Sequence, residues 1–184
     1  MKSAIILVLF LVMLPVNSSQ GAFEVNSSLG ASFCGDKTLR KGLQVSPKCQ
    51  LETQARSNVY LKNKEAVLAF GENTSAVIEN DSFLKMSSGI ARLKIKGELV
   101  LITAKAKLTL KNGDFLVRVS KFFNETEVVN FSGVSILETS QRENEYARVS
   151  RGQWGGVGGR FSDKIGDLIN LTERQVEVFK TLLK

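Results

Sequence analysis

The sequence predicts a mainly β protein, an antiparallel β-sandwich or jelly-roll-like domain with a C-terminal amphipathic helix. From residue 58 to about residue 154, apolar and polar residues alternate with a period of two, and short turns rich in Gly and Asn separate the segments. No helical segment stands between these strands. The period changes to that of a helix only after Leu168. Strands joined by short turns favour an antiparallel sandwich over a parallel α/β sheet.

Composition excludes several kinds of site. The chain has 184 residues, which is the size of one domain, and a net charge of +7. It contains no histidine, which excludes histidine-based triads, imidazole proton shuttles and histidine metal sites. Two cysteines cannot form a four-thiolate zinc site. We therefore expect a non-enzymatic protein without a cofactor or a bound metal.

Residues 1–22 have the order of a secretory signal peptide: Lys2, an apolar run over 4–16, and small or polar residues over 17–22. A membrane anchor is the alternative, but the 13 apolar residues are fewer than the roughly 20 that span a bilayer. We predict cleavage near Gly21 or Ala22. The mature protein is then expected to be periplasmic or secreted, with no integral membrane segment after cleavage.

Residues 23–57 are rich in Ser, Gly, Lys and Gln and show no sustained period, so they are predicted to form an N-terminal loop arm with at most one edge strand. The arm contains Cys34 and Cys49. In an oxidising compartment these two residues are expected to form a disulfide. Two buried thiols remain the alternative.

Residues 58–154 are predicted to form the β-domain. Strands are expected over 59–61, 66–70, 75–78 and 83–86, and a longer one over 90–96. Gly97-Glu98 is expected to turn the chain, and Asn112-Gly113 is expected to form a tight type I′ turn that folds 115–119 back on the preceding strand. Gly133 is expected to mark a bulge or a corner inside a strand.

Six basic side chains are expected to crowd the outer face of neighbouring strands. Such a face can bind an acidic protein or an anionic envelope polymer, or it can be a solvated surface that prevents aggregation. Aromatic residues are not interleaved with these positions, so nucleic acid is not an expected partner. The six residues are Arg92, Lys94, Lys96, Lys105, Lys107 and Lys111.

Residues 155–184 are predicted to form a Gly-rich hinge and a helix. Trp154 at the start of the hinge is expected either to fill the core or to contact a ligand. Thr172 and Gln175 have the spacing of a capping box, which places the helix start there. Val176, Phe179, Leu182 and Leu183 then form one apolar stripe. The helix is interpreted as a structural cover for the β-domain, with a docking helix for a partner as the alternative.

Several segments of the β-domain share an order with a known family. They comprise a Thr-containing strand, a Gly turn followed by Phe, a Val-x-x-Gly-x-Val strand and a closing strand that ends in Gly-Gln. The segments cover 75–78, 81–86, 89–93, 101–106, 112–119, 126–136 and 147–153.

In this order they resemble the FecR family of bacterial periplasmic domains, over about residues 66–153. The family usually has Thr after the turn glycine, whereas this chain has Asp114. Well-known members pass an iron-uptake signal to a cytoplasmic sigma factor. Because this chain is expected to lack a cytoplasmic anti-sigma segment, the resemblance implies a periplasmic β-domain that binds a ligand or protein, without the whole signalling circuit.

Two functions are consistent with these features. The first is an exported FecR-like module that binds a protein or a cell-envelope polymer in signalling or regulation. The second is a periplasmic carrier of a lipid or glycolipid in an open β-jelly roll. A carrier needs a continuous apolar cavity that reaches solvent, whereas a binding module is expected to be packed throughout.

Overall fold

The computed structural model describes residues 23–142 and 144–183, so the predicted signal peptide over 1–22 lies outside the described residues. In the described part the chain is mostly antiparallel β-structure with one short C-terminal α-helix, which confirms the predicted fold class. In chain order the elements are β1 (Phe23–Leu29), β2 (Ser32–Cys34), β3 (Lys37–Thr38), β4 (Gln44–Val45), β5 (Cys49–Thr53), β6 (Asn58–Lys62), β7 (Ala66–Phe70), β8 (Ser75–Ile78), β9 (Phe83–Ile102), β10 (Ala106–Ser120), β11 (Glu125–Thr139), β12 (Tyr146–Val149), β13 (Gln153–Gly158), a 3-10 turn (Gly159–Phe161), β14 (Ile169–Asn170) and α1 (Glu173–Thr181).

Three long neighbouring strands organise the sheet. The strand order is β14-β13-β11-β10-β9-β7-β6-β1-β4, with β12 paired to β11 and β8 paired to β9. β9 pairs with β8 at its start and with β7 further on, and β11 pairs first with β13 and then with β12. Because the long strands change partners along their length, the sheet folds over one main core. The main core contains fully buried side chains such as Phe70, Leu101 and Phe115.

The turns predicted at Gly97 and at Asn112-Gly113 are bulges inside continuous strands. At each point two residues of one strand oppose a single residue of its neighbour, and the register shifts. Asn112 has the positive φ (47°) that a type I′ turn requires, yet β10 continues past it. The reason is close strand approach, because a Cβ on Gly113 would overlap the carbonyl of Ser132 on β11. The bulge predicted at Gly133 is confirmed: its φ is 90° and the register shifts beside it.

The N-terminal region differs from the loop arm that was expected. Residues 23–57 contain β1 to β5, and β1 is a full strand between β4 and β6. The strands of this region are short and their outward residues are polar, so the period is hard to detect in the sequence. In β5, for example, Cys49, Leu51 and Thr53 are buried while Gln50 and Glu52 are exposed.

The expected Gly-rich hinge forms part of the sheet. Gly155 and its neighbours belong to β13, which pairs with β11, and the glycines there are buried. A Cβ on Gly155 would lie 2.9 Å from a methyl group of Leu168 and 3.0 Å from one of Val149. Glycine is therefore used here for close packing and not for flexibility.

The C-terminal helix begins where the sequence predicts. Thr172 Oγ1 accepts a hydrogen bond from the Gln175 backbone N–H, and the Gln175 side chain accepts one from the Thr172 backbone N–H at 2.9 Å. This reciprocal pair satisfies two otherwise free amides at the helix start. No helix within the described ranges is both long enough and apolar enough to cross a membrane.

Candidate functional site

The site is on the sheet face that α1 covers, opposite the main core. A second, smaller apolar cluster lies there, built from Ala69, Leu116, Val129, Phe131, Trp154 and Leu183. Val176 and Phe179 of α1 pack against it, which matches the predicted apolar stripe, whereas Leu182 stays 49% exposed. We call this surface the helix-covered face. The helix-covered face exists because successive side chains of β9 and β10 point to opposite faces of the sheet. Ala91 and Val117 point to the main core, and their neighbours in the chain point to α1.

Arg92 joins the sheet to α1. Its Nε and Nη2 donate to the two carboxylate oxygens of Asp114 at 3.0 and 2.8 Å, and its Nη1 donates to the backbone carbonyl of Lys180 at 2.9 Å. The guanidinium also lies 5.3 Å from the centre of the Phe131 ring. The Arg92 side chain is only 12% exposed. Carbonyls in the last turn of a helix lack the amide partners of interior carbonyls, and Arg92 supplies a donor for that of Lys180, as Thr172 supplies an acceptor at the helix start.

The carboxylate of Asp114 dominates the electrostatics of this joint. The hydrogen bonds to Asp114 raise the pKa of Arg92 above its ordinary value, against the lowering effect of burial. The sequence shows no signal for this pairing, because Arg92 and Asp114 are 22 residues apart and Arg92 and Lys180 are 88 apart.

Of the other predicted basic residues, Lys94 and Lys96 lie on β9, Lys107 and Lys111 lie on β10, and Lys105 is in the turn between these strands. Three of them form ion pairs: Lys105 with Asp163 at 2.7 Å, Lys107 with Glu138 at 2.8 Å, and Lys111 with Glu98 at 2.6 Å. Lys94 and Lys96 lie exposed on β9, beyond Arg92. Along β9 the basic residues Arg92, Lys94 and Lys96 alternate with buried apolar residues, as predicted. The buried residues are Ala91, Leu93 and Ile95. A role in binding stays a prediction for this set.

A groove opens between α1 and the helix-covered face. Its volume is about 170 Å³, and its floor is formed by Ile90, Leu116, Val129 and Trp154. Phe179 of α1 and Leu182, the residue that follows the helix, form one side, and Arg118 and Glu127 form a polar rim.

The polar rim is a cross-strand ion pair between β10 and β11, at a point where the two residues are directly opposed. The hydrogen bond from Arg118 to Glu127 raises the pKa of Arg118 above its ordinary value. Trp154, predicted to fill the core or to contact a ligand, is 8% exposed and packs beside Phe161 with ring centres 5.9 Å apart. Trp154 also contributes to the lining of the groove.

Two adjacent aromatic residues stand out at the end of the β10–β11 hairpin. Phe122 is 90% exposed and Phe123 is 63% exposed, and their rings meet edge to face with centres 4.9 Å apart. We call this turn, residues 121–124, the aromatic tip. The signal in the sequence is a Phe-Phe pair placed before Asn124, a residue with positive φ typical of a turn. This pair was not among the predicted site residues.

Glu125 at the base of the aromatic tip has a perturbed carboxyl group. Burial, reinforced by the neighbouring Glu127 carboxylate, raises the pKa of Glu125 above its ordinary value. Arg118 and Arg160 act in the opposite direction and only partly cancel the increase.

The cysteine pair is formed as expected. Cys34 on β2 and Cys49 on β5 are joined by a disulfide, with their Cα atoms 5.4 Å apart. The bond ties together two paired strands of the N-terminal region. Among the described residues, no cluster of three or more His, Cys, Asp or Glu side chains has the arrangement of a metal site.

Comparison with known proteins gives a structural likeness. No protein-family model matches the chain, and no curated protein matches it in sequence. The solved structure of a candidate anti-sigma factor from Parabacteroides distasonis matches with a TM-score of 0.58 and 13% sequence identity. The two proteins share a fold. The match covers 70% of this chain and 63% of that one, so this chain spans only part of that protein's length. A second structure of a candidate anti-sigma factor from the same organism matches with a TM-score of 0.46 and 15% identity over 70% of this chain and 58% of that one.

Proposed function

We propose that the chain is an exported, non-enzymatic module of the FecR type that binds a protein partner in envelope signalling or regulation. The observation that carries this proposal is the groove beside α1. It has an apolar floor, an exposed apolar side chain at its edge in Leu182 and an ion pair at its rim. Protein interfaces centre on such an arrangement, in which an apolar anchor enters a pocket surrounded by polar groups.

The size of the groove supports an amino-acid side chain as its occupant. Its volume of about 170 Å³ is comparable to the roughly 150 Å³ of a cavity that holds one benzene molecule. One aromatic or branched aliphatic side chain of a partner fills such a space. A lipid or glycolipid is less well supported at this groove, because clefts that enclose even a drug-sized ligand are roughly 300–1,000 Å³. A larger cleft of about 570 Å³ between β11 and β12 is lined mostly by polar residues such as Glu138, Arg142 and Glu145, which do not suit an acyl chain.

Other features support the class and the compartment. The fold shared with a candidate anti-sigma factor and the FecR-like order of segments favour a regulatory protein over an enzyme. The disulfide between Cys34 and Cys49 favours an oxidising compartment, in agreement with the predicted signal peptide. Lys94 and Lys96, which are exposed, are the best-placed of the predicted basic residues for contact with an acidic partner or an anionic envelope polymer.

The groove is tested with two substitutions in the C-terminal segment, one in α1 and one directly after it. Leu182→Glu places a charge at the groove, whereas Val178→Glu places one on a residue of α1 that is 58% exposed and does not line the groove. In cells, a photo-crosslinking residue at position 182 is expected to trap one defined protein that position 178 does not trap. Leu182→Glu is expected to abolish capture of that protein, while Val178→Glu keeps it. Equal capture from both positions, or equal loss in both variants, would contradict binding at the groove.

A further inference from the structure

The aromatic tip presents a single apolar wedge at the end of the longest hairpin. Phe122 and Phe123 contact each other edge to face, and neither is covered by another element. Isolated exposed apolar residues are common on protein surfaces, but two adjacent phenylalanines with one ring 90% exposed are unusual. The wedge is an exposed apolar surface that contributes neither to the main core nor to the helix-covered face.

The tip is held in place by its neighbours. Phe123 N–H donates to the Ser120 hydroxyl at 3.2 Å, and Gly159 N–H donates to the Asn124 carbonyl at 3.3 Å. The backbone of Gly158 also lies so close that an added Cβ would overlap that same carbonyl. The 3-10 turn therefore supports the hairpin end, and the two rings project from a fixed base.

The charges around the wedge favour an anionic surface. Lys121 lies in the turn itself and is exposed, and Arg118 and Arg160 are near its base, where both act on Glu125. Of the two carboxylates in this region, Glu127 is paired with Arg118, and Glu125 lies within the influence of both Arg118 and Arg160. The whole chain has a net charge of +7. Cations beside an apolar insertion favour membranes that contain acidic lipids.

The area of the wedge argues against a protein as its occupant. Two aromatic side chains bury at most about 150–250 Å² each, whereas a stable interface buries roughly 800 Å² on each partner. A convex tip with two rings adds little to a flat interface. Association with a second copy is also opposed by repulsion between two molecules that each carry a net positive charge. A bilayer, in contrast, accepts a small convex wedge without a complementary shape.

We infer that Phe122 and Phe123 insert into the interface of a membrane rich in anionic phospholipid, with Lys121 at the level of the headgroups. This contact is separate from the groove of the proposed function. It orients the molecule so that Arg118, which is part of the groove rim and lies near the tip, faces the membrane. A partner bound in the groove is then held close to the membrane surface.

The test uses the purified exported protein and sedimentation with vesicles. Vesicles of phosphatidylglycerol mixed with phosphatidylcholine are compared with vesicles of phosphatidylcholine alone. The unmodified protein is expected to bind the mixed vesicles, and less so as the salt concentration rises. Phe122→Ser/Phe123→Ser is expected to lower the partition coefficient by at least about tenfold. Because both residues are exposed, the thermal midpoint of this variant is expected to stay unchanged.

The matched control removes two other exposed large side chains. Leu29 is 64% exposed and Tyr146 is 69% exposed, and both are distant in sequence from the tip. Leu29→Ser/Tyr146→Ser is expected to bind as the unmodified protein does. Equal loss in the control, or undiminished binding by the tip variant, overturns the inference.

Two more measurements distinguish membrane insertion from association between copies of the chain. In Phe122→Trp, fluorescence from the new indole is expected to shift to the blue on mixed vesicles and to be quenched by brominated lipid, relative to the unmodified protein with Trp154 alone. Analytical ultracentrifugation is expected to show a monomer. If the unmodified protein is instead a dimer and the variant Phe122→Ser/Phe123→Ser is a monomer, the membrane contact is overturned and the wedge is assigned to an interface between copies. None of these readouts depends on the groove or on its partner.

Discussion

The main core and the helix-covered face lie on opposite sides of the same strands, but they are stabilised by different kinds of contact. The main core is built mostly from apolar side chains, and residues such as Leu93, Leu101 and Phe115 are fully buried in it. The helix-covered face instead contains an Arg92–Asp114 ion pair, an open groove and a helix in which no residue is fully buried. A core of this kind depends on the amount of apolar surface, whereas the other face depends on a few specific contacts.

The largest expected effect comes from the main core. Phe115→Ala removes a fully buried ring and leaves a cavity, so we expect the free energy of unfolding to fall by about 3–5 kcal/mol. Urea unfolding followed by circular dichroism measures this loss. A decrease below about 1 kcal/mol would show that the surrounding side chains relax into the cavity, and that the main core is less rigid than its packing indicates.

The next effect comes from the ion pair on the helix-covered face. Asp114→Ala leaves the nearly buried guanidinium of Arg92 without its carboxylate, and we expect a loss of about 2–3 kcal/mol. Arg92→Met/Asp114→Ala removes both charges and is expected to be less destabilised than the sum of the losses in Arg92→Met and Asp114→Ala. The double-mutant cycle, measured by urea unfolding, tests the coupling. Additive losses would mean that the two side chains act independently.

A smaller effect is expected at α1. Phe179 is only partly buried, so Phe179→Ala should lower the free energy of unfolding by about 1–2 kcal/mol and reduce the thermal midpoint. Val178→Ala, one residue earlier on the exposed side, is the control and should have almost no effect. The comparison separates a structural cover from a docking helix. Equal midpoints for Phe179→Ala and the unmodified protein would contradict the cover.

The smallest effect concerns Glu125, and it depends on pH. Its pKa is higher in the folded protein than in the unfolded chain, so the folded state binds its proton more tightly. The free energy of unfolding therefore decreases as pH rises through the ordinary value of about 4.3 toward the raised value.

Replacing Glu125 by Gln removes this dependence. Glu125→Gln is expected to raise the thermal midpoint slightly near about pH 7 and to leave it nearly unchanged below about pH 4. Melting curves at several pH values provide the measurement. A lower midpoint for the variant near neutral pH would mean that Arg118 and Arg160 outweigh the burial of the carboxyl group.

The same contrast explains which features could be predicted from the sequence. The alternation of Ala91, Leu93 and Ile95 with basic residues and the capping box at Thr172 are local patterns, and the structure confirms both. The Cys34–Cys49 pair follows from the small number of cysteines and the expected compartment.

Features that depend on distant residues could not be predicted in this way. Asn112-Gly113 has the residues of a hairpin turn, but whether the chain reverses or continues depends on Ser132 and Gly133 in the next strand. Likewise, the role of Arg92 depends on Asp114 and on a carbonyl near the C-terminus. An exposed aromatic pair such as Phe122 and Phe123 has no periodic signal, since its significance lies in what the fold leaves uncovered.

The aligned bulges near Gly97, Gly113 and Gly133 have a consequence for how the sheet assembles. Strands of 20, 15 and 15 residues offer many near-equivalent pairings, because shifting one strand by two residues again places apolar side chains on the same face. A bulge can be matched only at one position in each neighbour. The three bulges therefore act as a register mark, and misaligned pairings of the long strands lose backbone hydrogen bonds that the native pairing keeps. Accurate pairing in this sheet is thus encoded by a few interruptions in its regular pattern.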